Sequence, residues 1–230
     1  MNTRPSLYTD ERIESIWNSV AYNSCRHWAF FSQPAQRWFH PNERFDLDSF
    51  KRFVYANKAT DVHVKATDEP IAGREWVVDV DFNDSDPDRL QLRMDVAVRA
   101  FQLFFGGNVQ RIMYTGNRGV HVWLAANEFS MYAGREIRER YYKVFKLGAT
   151  VVRCDDIKPG SFLHALDRAI TEPAAKQRIE CLFADIADDR SKLLAELFPP
   201  VDEAVFCHLN QIRAPFSYNH KGRKFSRQLL

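Results

Sequence analysis

The four cysteines, Cys25, Cys154, Cys181 and Cys207, include no C-x-x-C pair, so neither a disulfide framework nor a zinc knuckle can be read from their spacing. Reduced and mostly buried thiols are expected instead. No apolar run approaches the length of a membrane span, and Met1 to Trp17 is polar and charged without an apolar h-region, which predicts a soluble intracellular protein with no membrane association. Repeats, low-complexity tracts and Gly/Ser linkers are missing as well, which argues against solenoids and flexibly joined modules. Acidic residues stop at Glu203, while Arg213, Lys221, Arg223, Lys224 and Arg227 follow, in a chain whose formal net charge is only +2. A basic end of this kind suits phosphate handling, or is simply a solvated tail.

What is present is a chain of 230 residues, 45% hydrophobic, enough for one compact enzyme-sized unit. Ile13, Ile16, Trp17 and Val20 recur at helical spacing over 10–24. Trp28 to Phe31 and Arg37 to Phe39 read as strands around Pro34, 46–57 as a helix with Phe50, Phe53 and Val54 inward, and Val62-His63-Val64 as another strand. His40 and His63 have no partner at ligand spacing and read as structural or surface histidines. Asp86 caps a long helix with Pro87 at its first position and Gly106-Gly107 at its stop, its inner face formed by Leu90, Met94, Ala97, Phe101 and Phe104. A hairpin of 109–115 and 120–125 turns at Gly116-Asn117-Arg118-Gly119. Ile137, Tyr141, Val144 and Phe145 mark the next helix, helical pieces fill 148–199, and the chain returns to the sheet at Val201.

The chemistry concentrates in Val77-Val78-Asp79-Val80-Asp81-Phe82. On a strand, residues i and i+2 share a face, so Asp79 and Asp81 point together while Val78, Val80 and Phe82 point into the core. Two such carboxylates ~5 Å apart repel by roughly 3 kcal/mol at an effective dielectric of ~20, which a divalent cation, a shared proton or open solvent must relieve. Magnesium suits oxygen ligands of this kind. Strand, helix, strand, strand, helix is the split βαβ order, in which the first strand lies between the third and the last. That arrangement would gather Asp79, Asp81, His121 and Asp202, the last read as opening the final strand.

Three motifs in this order resemble the catalytic small subunit of archaeo-eukaryotic primases, and in particular its baculoviral members. They are the D-x-D strand, Thr115-Gly116-Asn117-Arg118-Gly119-Val120-His121-Val122-Trp123, and Asp202 followed by Ile212-Arg213-Ala214-Pro215-Phe216-Ser217 and His220-Lys221-Gly222. Arg26-His27-Trp28-Ala29-Phe30 is similar to a fourth, R-E-F-x-F. Thr115 replaces the family's serine, Asn117 replaces an arginine, and Asn219 or His220 fills the last histidine slot.

The resemblance implies an α/β (α+β) primase fold: an RRM-like split βαβ sheet (75–147 and 200–218), an N-terminal αβ module (1–74), a helical insertion (148–199) and a basic tail (219–230), together one catalytic domain. It implies that Asp79, Asp81 and Asp202 bind two Mg2+ or Mn2+ ions, and that Arg26, Thr115, Arg118, His121, Arg213 and His220 bind a nucleoside triphosphate. The zinc-binding cysteines of many cellular relatives are absent, so no zinc is expected. It further implies RNA primer synthesis on single-stranded DNA, a larger second subunit (late expression factor 2 in those viruses) and work in the host nucleus. Two rival classes keep some weight. A metal-dependent phosphodiesterase or nuclease would need no triphosphate pocket, and a single-stranded nucleic-acid-binding module would place aromatics where Asp79, Asp81 and His121 stand. Trp38 and Tyr218 could stack bases or sit in the core.

Overall fold

The computed structural model describes residues 6–68, 71–148 and 152–230. The start of the expected N-terminal module (1–5) and the first residues of the expected insertion (149–151) lie outside the described residues. Two four-stranded antiparallel sheets carry the fold.

The first sheet is built on aromatic packing. Helix α1 (Asp10–Asn18) starts where the Thr9 side chain accepts from Arg12 N, and α2 (Leu47–Ala56) starts at a reciprocal Asp46–Ser49 capping box, each satisfying donors that a helix N-terminus leaves open. Strands β1 (Trp28–Ser32), β2 (Arg37–Phe39) and β3 (Asp61–Val64) order as β2-β1-β3, and a short β7 (Ile212–Arg213) closes the far edge. Alternation splits their side chains: Trp28, Phe30, Val62, Val64 and Ile212 pack with Trp17 and Phe50 beneath the helices. Phe31, Asp61, His63 and Arg213 therefore face the other way.

The second sheet comprises β4 (Val77–Asp81), β5 (Val109–Tyr114) and β6 (Gly119–Leu124), with β6 in the middle, and β10 (Arg227–Gln228) beyond β5. Between β4 and β5 runs α3 (Pro87–Phe105), capped by Asp86 with Pro87 at its first turn. The face bearing Val78, Val80, Ile112, Val120 and Val122 packs against α3, and α5 (Phe162–Thr171), α6 (Pro173–Leu182) and α7 (Arg190–Leu197) pack on α3 in turn, all within one hydrophobic core. Its opposite face carries Val77, Met113 and Trp123 into the aromatic core of the first sheet. Dry at one end, the seam between the sheets turns polar at the other.

Four expectations are corrected. The strand expected at Val201 shrinks to a single bridge, Val80↔Val201, because Asp202 caps the short helix α8 (Glu203–Cys207) with its carboxylate on Val205 N at 2.8 Å. In α4 (Arg135–Tyr142), Ile137, Tyr141 and, just beyond the helix, Val144 are exposed, whereas Arg138 and Tyr142 are buried. The reason is that Arg138 donates to the Arg74, Met131 and Ala133 carbonyls and lies over the Trp76 ring, a stem-and-head burial that hydrophobic spacing alone does not register. The basic tail is folded: β8 (Tyr218–Asn219) pairs with β9 (Lys224–Phe225), and β10 extends the second sheet. Of the cysteines only Cys207 is buried, while Cys25 and Cys181 are exposed.

Candidate active site

A cavity of about 480 Å³ occupies the polar end of the seam, with walls from both sheets. On the β4–β6 wall, Asp79 stands opposite His121 and Asp81 opposite Gly119. His121 Nε2 lies 3.2 Å from Asp79 Oδ1, with the histidine side chain 8% and the aspartate 22% exposed. Burial is the largest influence on the Asp79 carboxyl and pushes it up, but the charge and hydrogen bond of His121, with Arg213 and Arg74 behind, hold it below its ordinary value. Asp81 is more open and takes Arg118 Nη2 at 3.2 Å, whose Nη1 reaches Asn83 at 3.1 Å. Gly119 is required here, since a Cβ would sit 1.8 Å from the Val80 carbonyl oxygen.

The rim is a clasp of two turns. Thr115 N donates to Gly119 O, closing the β5–β6 turn. Asn219 donates from Nδ2 to Thr115 O at 3.1 Å and accepts at Oδ1 from the Lys221 and Gly222 amides. Gly222 packs so closely that a Cβ would lie 1.9 Å from Gly116 O. Side chains of Thr115, Asn117, Asn219, His220 and Lys221 line the cavity.

The opposite wall is the outward face of the first sheet. Registers Trp38↔Phe31↔Asp61 and Ala29↔His63↔Arg213 place its side chains in two cross-strand rows. Asp61 is fully buried and accepts from Arg213 Nη1 at 2.6 Å and from His220 Nδ1 at 2.8 Å. His63 sits edge-on to Trp38 at 4.7 Å between ring centroids, and among the described residues neither of its ring nitrogens meets a hydrogen-bond partner. Burial first, then the Arg213 guanidinium and the nearby imidazoles of His121, His220 and His40, keep it well below the ordinary histidine value and therefore neutral.

Six of the residues singled out from sequence line this one cavity: Asp79, Asp81, Thr115, His121, Arg213 and His220. Arg118 lies outside the lining, held by Asp81. Asp202 is tied to the site by its backbone, its N–H donating to Asp79 O at 2.9 Å, but its carboxylate serves the α8 cap. Among the described residues, no three His, Cys, Asp or Glu side chains form a ligand set, so the expected three-carboxylate cage is two carboxylates with a third beside them in the main chain. Arg26 is corrected outright. It is fully buried, grips both Glu75 oxygens at 2.7 and 2.8 Å, donates to Lys65 O and Ala21 O, and does not line the cavity. Both Asn219 and His220 contribute, the first through the clasp and the second through the wall. The sequence reading missed Asp61 and set His63 aside as a structural or surface histidine; the one signal for either was alternation in Asp61-Val62-His63-Val64, which puts both on the face opposite two buried valines.

Relatives of known designation cover nearly the whole chain. The late expression factor 1 of Orgyia pseudotsugata multicapsid polyhedrosis virus is 43% identical over 232 residues, covering 98% of this chain and 89% of that protein. The DNA primase of Autographa californica nuclear polyhedrosis virus is 40% identical over 225 residues, 96% and 80% of the two chains. The chain belongs to the baculoviral late expression factor 1 family of DNA primases. As a member of that primase family it is an enzyme, a nucleotidyltransferase. No protein-family model matches it. Among solved structures, the polymerase domain from Mycobacterium tuberculosis ligase D in complex with DNA aligns over 95% of this chain and 80% of that one, at 13% identity and a TM-score of 0.45. The cavity sets two carboxylates, oxygen ligands of the kind hard cations take, against a guanidinium and imidazoles, donors of the kind that bind phosphate oxygens.

Proposed function

We propose that the chain is the catalytic subunit of a viral DNA primase, joining ribonucleotides into short primers on single-stranded DNA. One observation carries the reading: Asp79 and Asp81 on one sheet face the same cavity as Arg213 from the other and His220 and Lys221 from the β8–β9 turn. Asp79 and Asp81 would hold divalent cation, Mg2+ or Mn2+, which when bound neutralises phosphate charge during in-line transfer. Two ions call for a third carboxylate, and Asp202 would have to leave the α8 cap to join, giving up about 1 kcal/mol of cap stability. Thr115, His121, Arg213 and His220, with Arg118 at the edge, receive the triphosphate. The β4-α3-β5-β6 unit, with the Val80↔Val201 bridge as the vestige of its last strand, is read as the RRM-like split βαβ core of a single catalytic domain. The exposed Arg223, Lys224 and Arg227 suit the template backbone, so template affinity falls with added salt. A larger subunit and a site of action in the host nucleus belong to the same reading.

The test is a templated assay with the purified protein, alone and with its larger partner, supplied with labelled nucleoside triphosphates and single-stranded DNA. Metal-dependent appearance of short RNA products is expected. Shortening of labelled DNA, or template binding with no synthesis under either condition, overturns the proposal.

A further inference from the structure

Nothing above gives Asp61 a task, yet it is a carboxylate with no exposed surface set in the wall of the cavity. A buried carboxylate loses its hydration, and the loss is tolerable only when hydrogen bonds and positive charge replace it. Asp61 has both. Its Oδ1 accepts from Arg213 Nη1 at 2.6 Å and weakly from the His220 amide at 3.5 Å, and its Oδ2 accepts from His220 Nδ1 at 2.8 Å and Thr60 Oγ1 at 3.0 Å.

Each of these bonds fixes something that faces the cavity. A carboxylate against Nδ1 requires that nitrogen to carry a hydrogen, which leaves Nε2 as the other functional atom of the His220 ring and removes the freedom to swap tautomers. Phe31, the cross-strand neighbour of Asp61, lies 4.3 Å from the imidazole between centroids and blocks its rotation from a second side. On Arg213, Nη1 is shared between Asp61 and the Tyr218 carbonyl, while among the described residues Nε and Nη2 meet no protein acceptor and remain available to an anion. Asp61 is also the first residue of β3, which pairs with β7 through His63↔Arg213, so Asp61 and Arg213 share one sheet, while His220 reaches it from the β8–β9 turn.

We propose that Asp61 is the positioning residue of the nucleotide site: it does not touch substrate but sets the tautomer of His220 and the aim of Arg213, and so determines triphosphate affinity. This inference rests on the reading of the cavity as a nucleotide site. Outer-layer partners of this kind typically change affinity or activity by about 10–100-fold when removed.

The experiment pairs a direct measurement with a mutant cycle. In the wild-type protein, nitrogen-15 NMR of the His220 ring should show Nδ1 protonated; an Nδ1 without hydrogen overturns the proposal, whatever the mutants do. Asp61→Asn keeps the shape and removes the charge. In the primer-synthesis assay it should raise the nucleotide KM by about 10–100-fold with a much smaller effect on kcat, while Asp61→Glu should recover part of the loss. His220→Ala should raise KM too, and adding Asp61→Asn to it should have less effect than in wild type, because the two act through one contact. A KM unchanged in a folded Asp61→Asn protein, or fully additive effects in the double variant, overturns it. A wild-type protein that makes no primers refutes the nucleotide reading instead, and the NMR result then still reports on the Asp61–His220 contact.

Discussion

Replacing Asp79 with asparagine separates chemistry from folding more cleanly than any other change at this site. The amide occupies the volume of the carboxylate and keeps an acceptor for His121 Nε2, now 3.2 Å away, so the fold loses the charge assistance of one hydrogen bond, about 0.5–1.5 kcal/mol. For a chain of this size that lowers Tm by about 2–4 °C per kcal/mol. The reaction loses far more if Asp79 holds a cation against the developing phosphate charge: removing one preorganised electrostatic group costs about 10²–10³ in kcat, or ~2.7–4 kcal/mol. Steady-state incorporation of labelled ribonucleotide, run across a Mg2+ or Mn2+ titration beside a thermal melt, reads both quantities on one preparation. Asp202→Asn is the companion, because asparagine caps a helix as well as aspartate does and leaves the Val205 N contact at 2.8 Å an acceptor. It should melt like wild type and still lose synthesis as severely as Asp79→Asn. An Asp79→Asn enzyme within about threefold of wild type, less than ~0.7 kcal/mol of barrier, would refute the cation role. A fully active Asp202→Asn enzyme would leave the ion to the strand pair alone.

Arg26→Ala leaves Glu75 buried without a counter-charge and should destabilise the fold by about 3–5 kcal/mol; folded protein recovered at low temperature should keep its nucleotide KM, and a raised KM would return Arg26 to the substrate site. His63 is held neutral by burial, so its folded value lies below the unfolded one of about 6.5 and its contribution to stability is complete above that pH and erodes as the pH falls, by up to about 1.4 kcal/mol per unit. Urea unfolding of wild type and His63→Phe should therefore diverge between about pH 6.5 and 5, the wild type losing more; parallel curves would place the ring in solvent.

The parts of the fold written in local signals were legible from residues alone. Asp86-Pro87 announced the start of α3, Gly106-Gly107 its end, and the valines around Asp79 and Asp81 fixed which way the two carboxylates point. Signals that depend on a distant partner were not. The burial of Arg138 rests on carbonyls of Arg74, Met131 and Ala133 and on the Trp76 ring, so a rule that sends Ile137 and Tyr141 inward failed. Asp202 looked like the start of a strand because Val201 does bridge Val80, yet the next residue turns into a cap. Asp61 escaped notice because its partners, Arg213 and His220, stand 152 and 159 positions away, and a single aspartate at a strand start has no pattern of its own.

The contact between Gly116 and Gly222 reaches beyond the geometry of the rim. Neither residue can acquire a side chain unless the opposite turn retreats, since a Cβ on Gly222 would overlap the Gly116 oxygen and one on Gly116 would lie 2.6 Å from the Lys224 oxygen. The two loops are thus one heritable unit written in two places, and a hybrid that takes one from a divergent virus must take its counterpart as well.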